Sequence, residues 1–105
     1  MRIGNYIIDP WEFDWNARWV RNIRPYGIDN VLRGSIFVES KFNHGNGTLY
    51  YFYFTRDNPF TKIYDSIYKS DMSVEHRSEM FDDFYATKAR VDFFLDKIQK
   101  LKVLL

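Results

Sequence analysis

The sequence predicts an α+β domain: an antiparallel sheet of three or four strands, packed by a C-terminal helix. Three observations carry this. Residues 34–42 and 48–55 are rich in β-branched and aromatic side chains and flank a connection that holds Gly45 and Gly47, which reads as a β-hairpin over 34–55. Neither glycine nor proline occurs from Ser73 to Leu105. Along that run Met80, Phe84, Thr87, Val91, Phe94, Ile98, Leu101 and Leu105 recur at alternating spacings of four and three, the seam of an amphipathic helix. A chain of 105 residues buries one hydrophobic core, so 1–105 reads as a single domain.

The elements follow in order. Asn5 to Ile8 suits a short first strand, closed by Asp9-Pro10. Residues 11–23 give two signals. Asp9, Pro10 and Glu12 fit an N-cap, an N1 proline and an N3 acid, which would start a helix. Yet Trp11, Phe13, Trp15, Ala17, Trp19 and Ile23 all fall on odd positions, while Glu12, Asp14, Asn16, Arg18 and Asn22 fall on even ones. On a helix Arg18 and Asn22 would interrupt the tryptophan stripe, so one long strand is expected.

Pro25-Tyr26-Gly27 is turn chemistry. In the hairpin, a turn centred on Gly45-Asn46 pairs Phe37 with Phe54, Val38 with Tyr53 and Phe42 with Leu49. A turn centred on Asn46-Gly47 pairs Val38 with Thr55 and Phe37 with Arg56. The first gives better apolar pairs and is preferred. Both put Ile36, Val38, Phe42, Leu49, Tyr51 and Tyr53 on one face. Phe37, Glu39, Lys41, Tyr50, Phe52 and Phe54 then share the other. Asp57-Asn58-Pro59 ends the hairpin, and Phe60, Ile63, Tyr64, Ile67 and Tyr68 suggest a short helix over 60–69.

In the last segment, 71–83 holds Asp71, Glu75, Glu79, Asp82 and Asp83 against Arg77, and the lysines and Arg90 dominate 84–105, an order that suits a helix dipole. Thirty helical residues would span about 45 Å. A helix that long overhangs a small sheet. It either breaks near 82–87, or the overhang packs on a second copy through Ile98, Leu101, Val103, Leu104 and Leu105. A homodimer is the expectation.

Composition excludes several function classes. Fifteen Lys and Arg against fourteen Asp and Glu give a net charge of +1, neither a basic nucleic-acid coat nor an acidic mimic. Cysteine is absent, which removes disulfides, thiolate metal sites and cysteine nucleophiles. Arg2, Asn5 and Asp9 break up the first ten residues, so they do not resemble a signal peptide. No run is long enough to cross a bilayer, and a cytoplasmic protein without membrane contact is expected. Ten Phe, eight Tyr and three Trp are the unusual feature. With only Ala17, Ala86 and Ala89 as alanines and seven asparagines, the composition is similar to that of small accessory proteins of phages and other AT-rich mobile elements.

Catalytic signals are sparse. His44 lies in the hairpin turn, and His76, Glu79 and Asp83 share one side of the expected helix, where acids already suit the dipole. No metal and no cofactor is expected. Asp29 followed by Glu39-Ser40-Lys41 on a hairpin resembles the nuclease pattern that ends in Asp/Glu-x-Lys, where carboxylates hold magnesium and the lysine helps activate water. Here Asp29 follows Ile28 rather than proline, and no strand follows the last helix. The more ordinary meaning of Glu39 and Lys41 is a solvent-facing charge pair.

The aromatic hairpin and its basic neighbours are the better candidate. Arg18, Arg21, Arg24, Lys41, Tyr50, Phe52 and Phe54 are the expected binding surface. Residues 15–41 carry Arg18, Arg21, Arg24, Arg33 and Lys41 against Asp29 and Glu39, a local +3. Such a surface can stack unpaired bases, so single-stranded nucleic acid is one possible partner. Tyr, Trp, Phe and Arg also anchor protein interfaces, and one helix covers only one face of a sheet. The expected role is therefore a small non-enzymatic binding protein, an inhibitor or accessory protein that contacts a host protein. The nucleic-acid module and the minimal nuclease using Asp29, Glu39 and Lys41 are the alternatives.

Overall fold

The computed structural model describes residues 1–28, 30–43, 45, 47–55, 58–62 and 81–100. Among them are six strands: β1 (Arg2–Ile3), β2 (Tyr6–Ile8), β3 (Glu12–Phe13), β4 (Trp19–Pro25), β5 (Gly34–Asn43) and β6 (Gly47–Phe54). They form one antiparallel sheet in the order β1-β2-β4-β5-β6, and β3 also pairs with β4. One helix, α1 (Phe84–Lys100), packs on it. The α+β class stands, with six strands where three or four were expected. Two of the additional ones, β1 and β3, are two residues long, too short for alternation to reveal.

The seam of α1 makes the core. Thr87, Val91, Phe94, Leu95 and Ile98 are buried, and Ile3, Ile8, Ile23, Ile36 and Phe60 complete the cluster beneath them. Asp83 starts the helix by accepting the Tyr85 N–H at 2.6 Å, the N-cap arrangement. Lys97 and Lys100 occupy the last turn, where cations suit the dipole. Ile98 was expected at a subunit contact. It is instead fully buried against its own sheet. Leu101, Val103, Leu104 and Leu105 lie outside the described residues, as does most of the helix expected over 60–69.

The long strand expected over 11–23 is a hairpin. β3 and β4 pair Glu12 with Val20 and Phe13 with Trp19, and residues 14–18 turn between them. Asp14 drives the turn. Its Oδ1 accepts from the backbone N–H of Asn16 at 2.9 Å and of Arg18 at 3.3 Å. Ala17 takes φ 55°, the left-handed region. An Asx turn of this kind competes with a continuing strand. Alternation did not reveal it because Trp15 and Ala17, both in apolar phase, are the turn residues.

The hairpin at 34–55 is present, but in neither expected register. Asn43 pairs with Gly47, which leaves three residues in the connection. Gly47 sits at φ 75°, the left-handed position such loops favour. The pairing becomes Ile36 with Phe54, Phe37 with Tyr53 and Val38 with Phe52. A one-residue slip exchanges the faces of one strand. Tyr50, Phe52 and Phe54 therefore join Ile36 and Val38 beneath α1. Phe54 meets Phe94 edge-on at 5.7 Å, and Tyr50 lies 4.2 Å from Phe84. Tyr51 and Tyr53 share the opposite face with Phe37, Glu39 and Lys41. On its outer edge β6 is bridged at Tyr50, whose N–H and C=O bond to Phe81 at 2.8 Å each.

Gly34 is fixed by space as well as by backbone. At φ 151°, an added Cβ would lie 2.9 Å from Asn58 Cα and 2.9 Å from Thr55 Oγ1. That crowding matters because Asn58 holds the chain exit: its Nδ2 donates to Ser35 O at 3.1 Å, and its Oδ1 accepts the Phe60 N–H at 2.8 Å. Gly34→Ala should cost about 1–3 kcal/mol of overpacking in addition to backbone strain. Gly47→Ala meets open space and should cost only about 1–2 kcal/mol of left-handed strain. Urea unfolding of the two variants checks the ranking.

Candidate functional site

The sheet face turned away from α1 carries a connected cluster built on Arg18. Its guanidinium lies 3.9 Å from the Phe37 ring centroid. Its Nε donates to Asp14 Oδ2 at 2.6 Å, and its Nη1 reaches Tyr53 Oη at 3.2 Å and Glu39 Oε1 at 3.4 Å. Glu39 in turn accepts from Tyr51 Oη at 2.9 Å on Oε2 and from Tyr53 Oη at 3.0 Å on Oε1. The rings are in contact too: Phe37 with Tyr53 at 5.2 Å, and Tyr51 stacked along Tyr53 at 6.1 Å. Each residue is placed by its element. Glu39 and Tyr51 are directly paired across β5 and β6, Phe37 and Tyr53 likewise, and the Asp14 turn swings Arg18 over them.

Electrostatics follow the contacts. The hydrogen bond to Glu39, then burial and the carboxylate charge, push the Tyr51 hydroxyl above its usual value. Burial and the Glu39 bond raise Tyr53 as well, against the opposing pull of Arg18. Bonding to Asp14 holds Arg18 still more firmly protonated, against the cost of burial. Burial pushes the Asp14 carboxyl up, but the bonds from Arg18 and from the backbone of Asn16 and Arg18 outweigh it and hold it low. The cluster is a neutral-tyrosine, charged-pair network. Nothing in it prepares a nucleophile.

The residues expected as one binding surface divide between two faces. Arg18 and Lys41 lie on the open face. Arg24 is there also, paired with Asp9 at 2.7 Å beside a groove of about 430 Å³ lined by Asp9, Asn22, Arg24, Asn30, Val31 and Leu32. Tyr50, Phe52 and Phe54 lie beneath the helix. Arg21 is on that side too, only 11% exposed, where its Nη1 meets Asp92 at 3.1 Å. Trp11 Nε1 donates to the same carboxylate oxygen at 2.9 Å, so Asp92 ties α1 to the sheet. Sequence reasoning did not select Phe37, Tyr51 and Tyr53 as site residues. The signal was present in the spacing of hydroxyls, since Tyr51 and Tyr53 share the phase that reaches Glu39.

For the nuclease pattern, Glu39 and Lys41 do share a face, but both Glu39 oxygens are already engaged by tyrosines and Arg18. Asp29, His44, His76 and Glu79 lie outside the described residues. Among the described residues no helix is long and apolar enough to cross a membrane. No protein-family model matches the chain, and no curated protein or solved structure matches it either.

The raised tyrosines link stability to alkaline pH. Unfolded tyrosine ionises near ~10, and the folded hydroxyls of Tyr51 and Tyr53 ionise later. Their contribution is fully present below that pH and is lost as pH rises through the folded values. The urea midpoint of the native protein should therefore fall, as pH rises above the ordinary tyrosine value, more steeply than that of the Tyr51→Phe, Tyr53→Phe double variant. Parallel curves would show the two hydroxyls to be unlinked to folding.

Proposed function

We propose that this chain is a small non-enzymatic binding protein that docks a protein partner on the open face of its sheet. One observation carries the reading: Phe37, Tyr51 and Tyr53 form a half-exposed aromatic surface around Arg18 and Glu39, and none of the described elements packs on it. Phe60, where the segment after the hairpin begins, goes into the core on the helix side. Tyr, Phe and Arg are the residue types that anchor interfaces. The hydrogen bonds around Glu39 hold these side chains in place beforehand, which lowers the ordering cost of binding. Such a role fits an accessory or inhibitor protein of phage type acting in the cytoplasm on a host protein.

The test is capture of partners from a lysate by the native chain and by two open-face variants, Lys41→Glu and Tyr51→Ser, with and without nuclease. A specific partner should survive nuclease and be lost, by about tenfold or more, with both variants. A partner removed by nuclease would point to single-stranded nucleic acid. Magnesium-dependent cleavage of DNA or RNA, abolished by Glu39→Ala and Lys41→Ala, would establish the nuclease instead.

A further inference from the structure

On the helix side, a different set of aromatic residues reaches solvent. Phe13 meets Trp19 edge-on at 5.3 Å. The Lys88 ammonium of α1 lies 3.8 Å from the Trp19 ring centroid and 4.6 Å from that of Tyr85. Phe13 is 58% exposed and Tyr85 72%. Two residues past Phe13, Trp15 is exposed completely, at 102%. Its backbone is nevertheless fixed, because the Asp14 turn closes with hydrogen bonds from Asn16 and Arg18 and from Asp14 N–H to Arg18 O at 2.8 Å.

Lys88 differs from the arginines that tie the sheet together and from Lys100. Arg18, Arg21, Arg24 and Lys100 each have a carboxylate. Among the described residues Lys88 has none, and two ring faces are what hold it. A ring face attracts the charge but leaves the N–H donors for another acceptor. The half-buried ammonium is thus oriented and still open to an anion.

We propose that this cluster is a second docking point, independent of the open face. It takes a partner's peptide segment in which one carboxylate lies among apolar side chains. The carboxylate meets Lys88, and the apolar side chains meet Phe13, Trp15 and Tyr85. Charge complementarity selects the occupant. The cluster offers one ammonium that meets no carboxylate among the described residues and is held by two ring faces. A run of phosphates calls for several cations in series, whereas a single carboxylate among apolar groups calls for one. Trp15 supplies a large anchor whose backbone is already ordered, so little entropy is lost when it is covered.

Titration of the isotope-labelled full chain tests this, with the tryptophan indole N–H signals as readout. The probe is the acetylated, amidated hexapeptide Leu-Phe-Glu-Leu-Gly-Ser, run beside its Glu→Gln analogue and a ten-nucleotide oligothymidylate. Trp15 and Trp19 should shift with the acidic peptide, while Trp11, tied to Asp92, stays in place and reports an intact fold. Binding should weaken about fivefold or more with the Gln analogue, and equally with Lys88→Gln. Trp15→Ala, at a side chain that packs on nothing, should weaken it by a similar factor. Equal binding of both peptides, an unaffected Lys88→Gln, indole shifts with oligothymidylate alone, or no shift at all would each overturn the proposal.

Discussion

The three-residue connection between Asn43 and Gly47 decides what lies inside this molecule and what lies outside. With a two-residue turn on Gly45-Asn46, Tyr51 and Tyr53 would stand beside Ile36 and Val38 under α1. Two hydroxyls would enter an apolar layer, each costing about 1–3 kcal/mol if left without a partner. The observed register sends Phe52 and Phe54 inward and lets both hydroxyls reach Glu39. Gly47 permits that connection by accepting a positive φ. The contacts of Phe94 and Phe84 with the sheet, and the Arg18 cluster on its far side, all follow from this one register.

How far the fold could be read from the sequence depended on the kind of signal. The helix seam was legible because Thr87, Val91, Phe94 and Ile98 repeat with a helical period that no turn disturbs. The strand character of 11–23 was legible for the same reason, but its break was not: Trp15 and Ala17 continue the apolar phase through a turn dictated by the Asp14 side chain. β6 is the hardest case. Leu49 to Phe54 is apolar at both phases, so hydropathy cannot choose a face. What distinguishes the phases is a hydroxyl: Tyr51 and Tyr53 against Phe52 and Phe54. Tyr50 departs from that rule, and its backbone is held at the sheet edge by Phe81.

The same difference between sequence and space governs charge. Counted along the chain, residues 15–41 are basic by three charges. In the fold Arg21 meets Asp92, Arg24 meets Asp9 and Arg18 meets Asp14, and all three carboxylates come from outside that window. The arginine run is thus a set of internal ties between segments, not a free basic stripe. A backbone-tracking nucleic-acid surface needs unpaired cations in series. The candidate residues do not provide one in the run where the sequence concentrated them.

Once the arginines are assigned to carboxylates, the two aromatic surfaces separate by their electrostatics. The open face holds a closed network in which Glu39 serves Arg18 and two tyrosines at once, so its polar groups are satisfied before any partner arrives. Surface ion pairs of this kind add little to stability, and their effect lies in fixing the direction of side chains. Binding there would draw on shape and ring area, with the network as a rigid base. The Lys88 cluster is the reverse: its rings and turn are equally fixed, but among the described residues its cation meets no carboxylate. One surface is therefore suited to complementarity of shape and the other to complementarity of charge. They lie on opposite sides of the sheet because the hairpin register keeps the tyrosines away from the helix, while the Asp14 turn returns the chain so that Phe13 packs on Trp19, the ring that Lys88 covers.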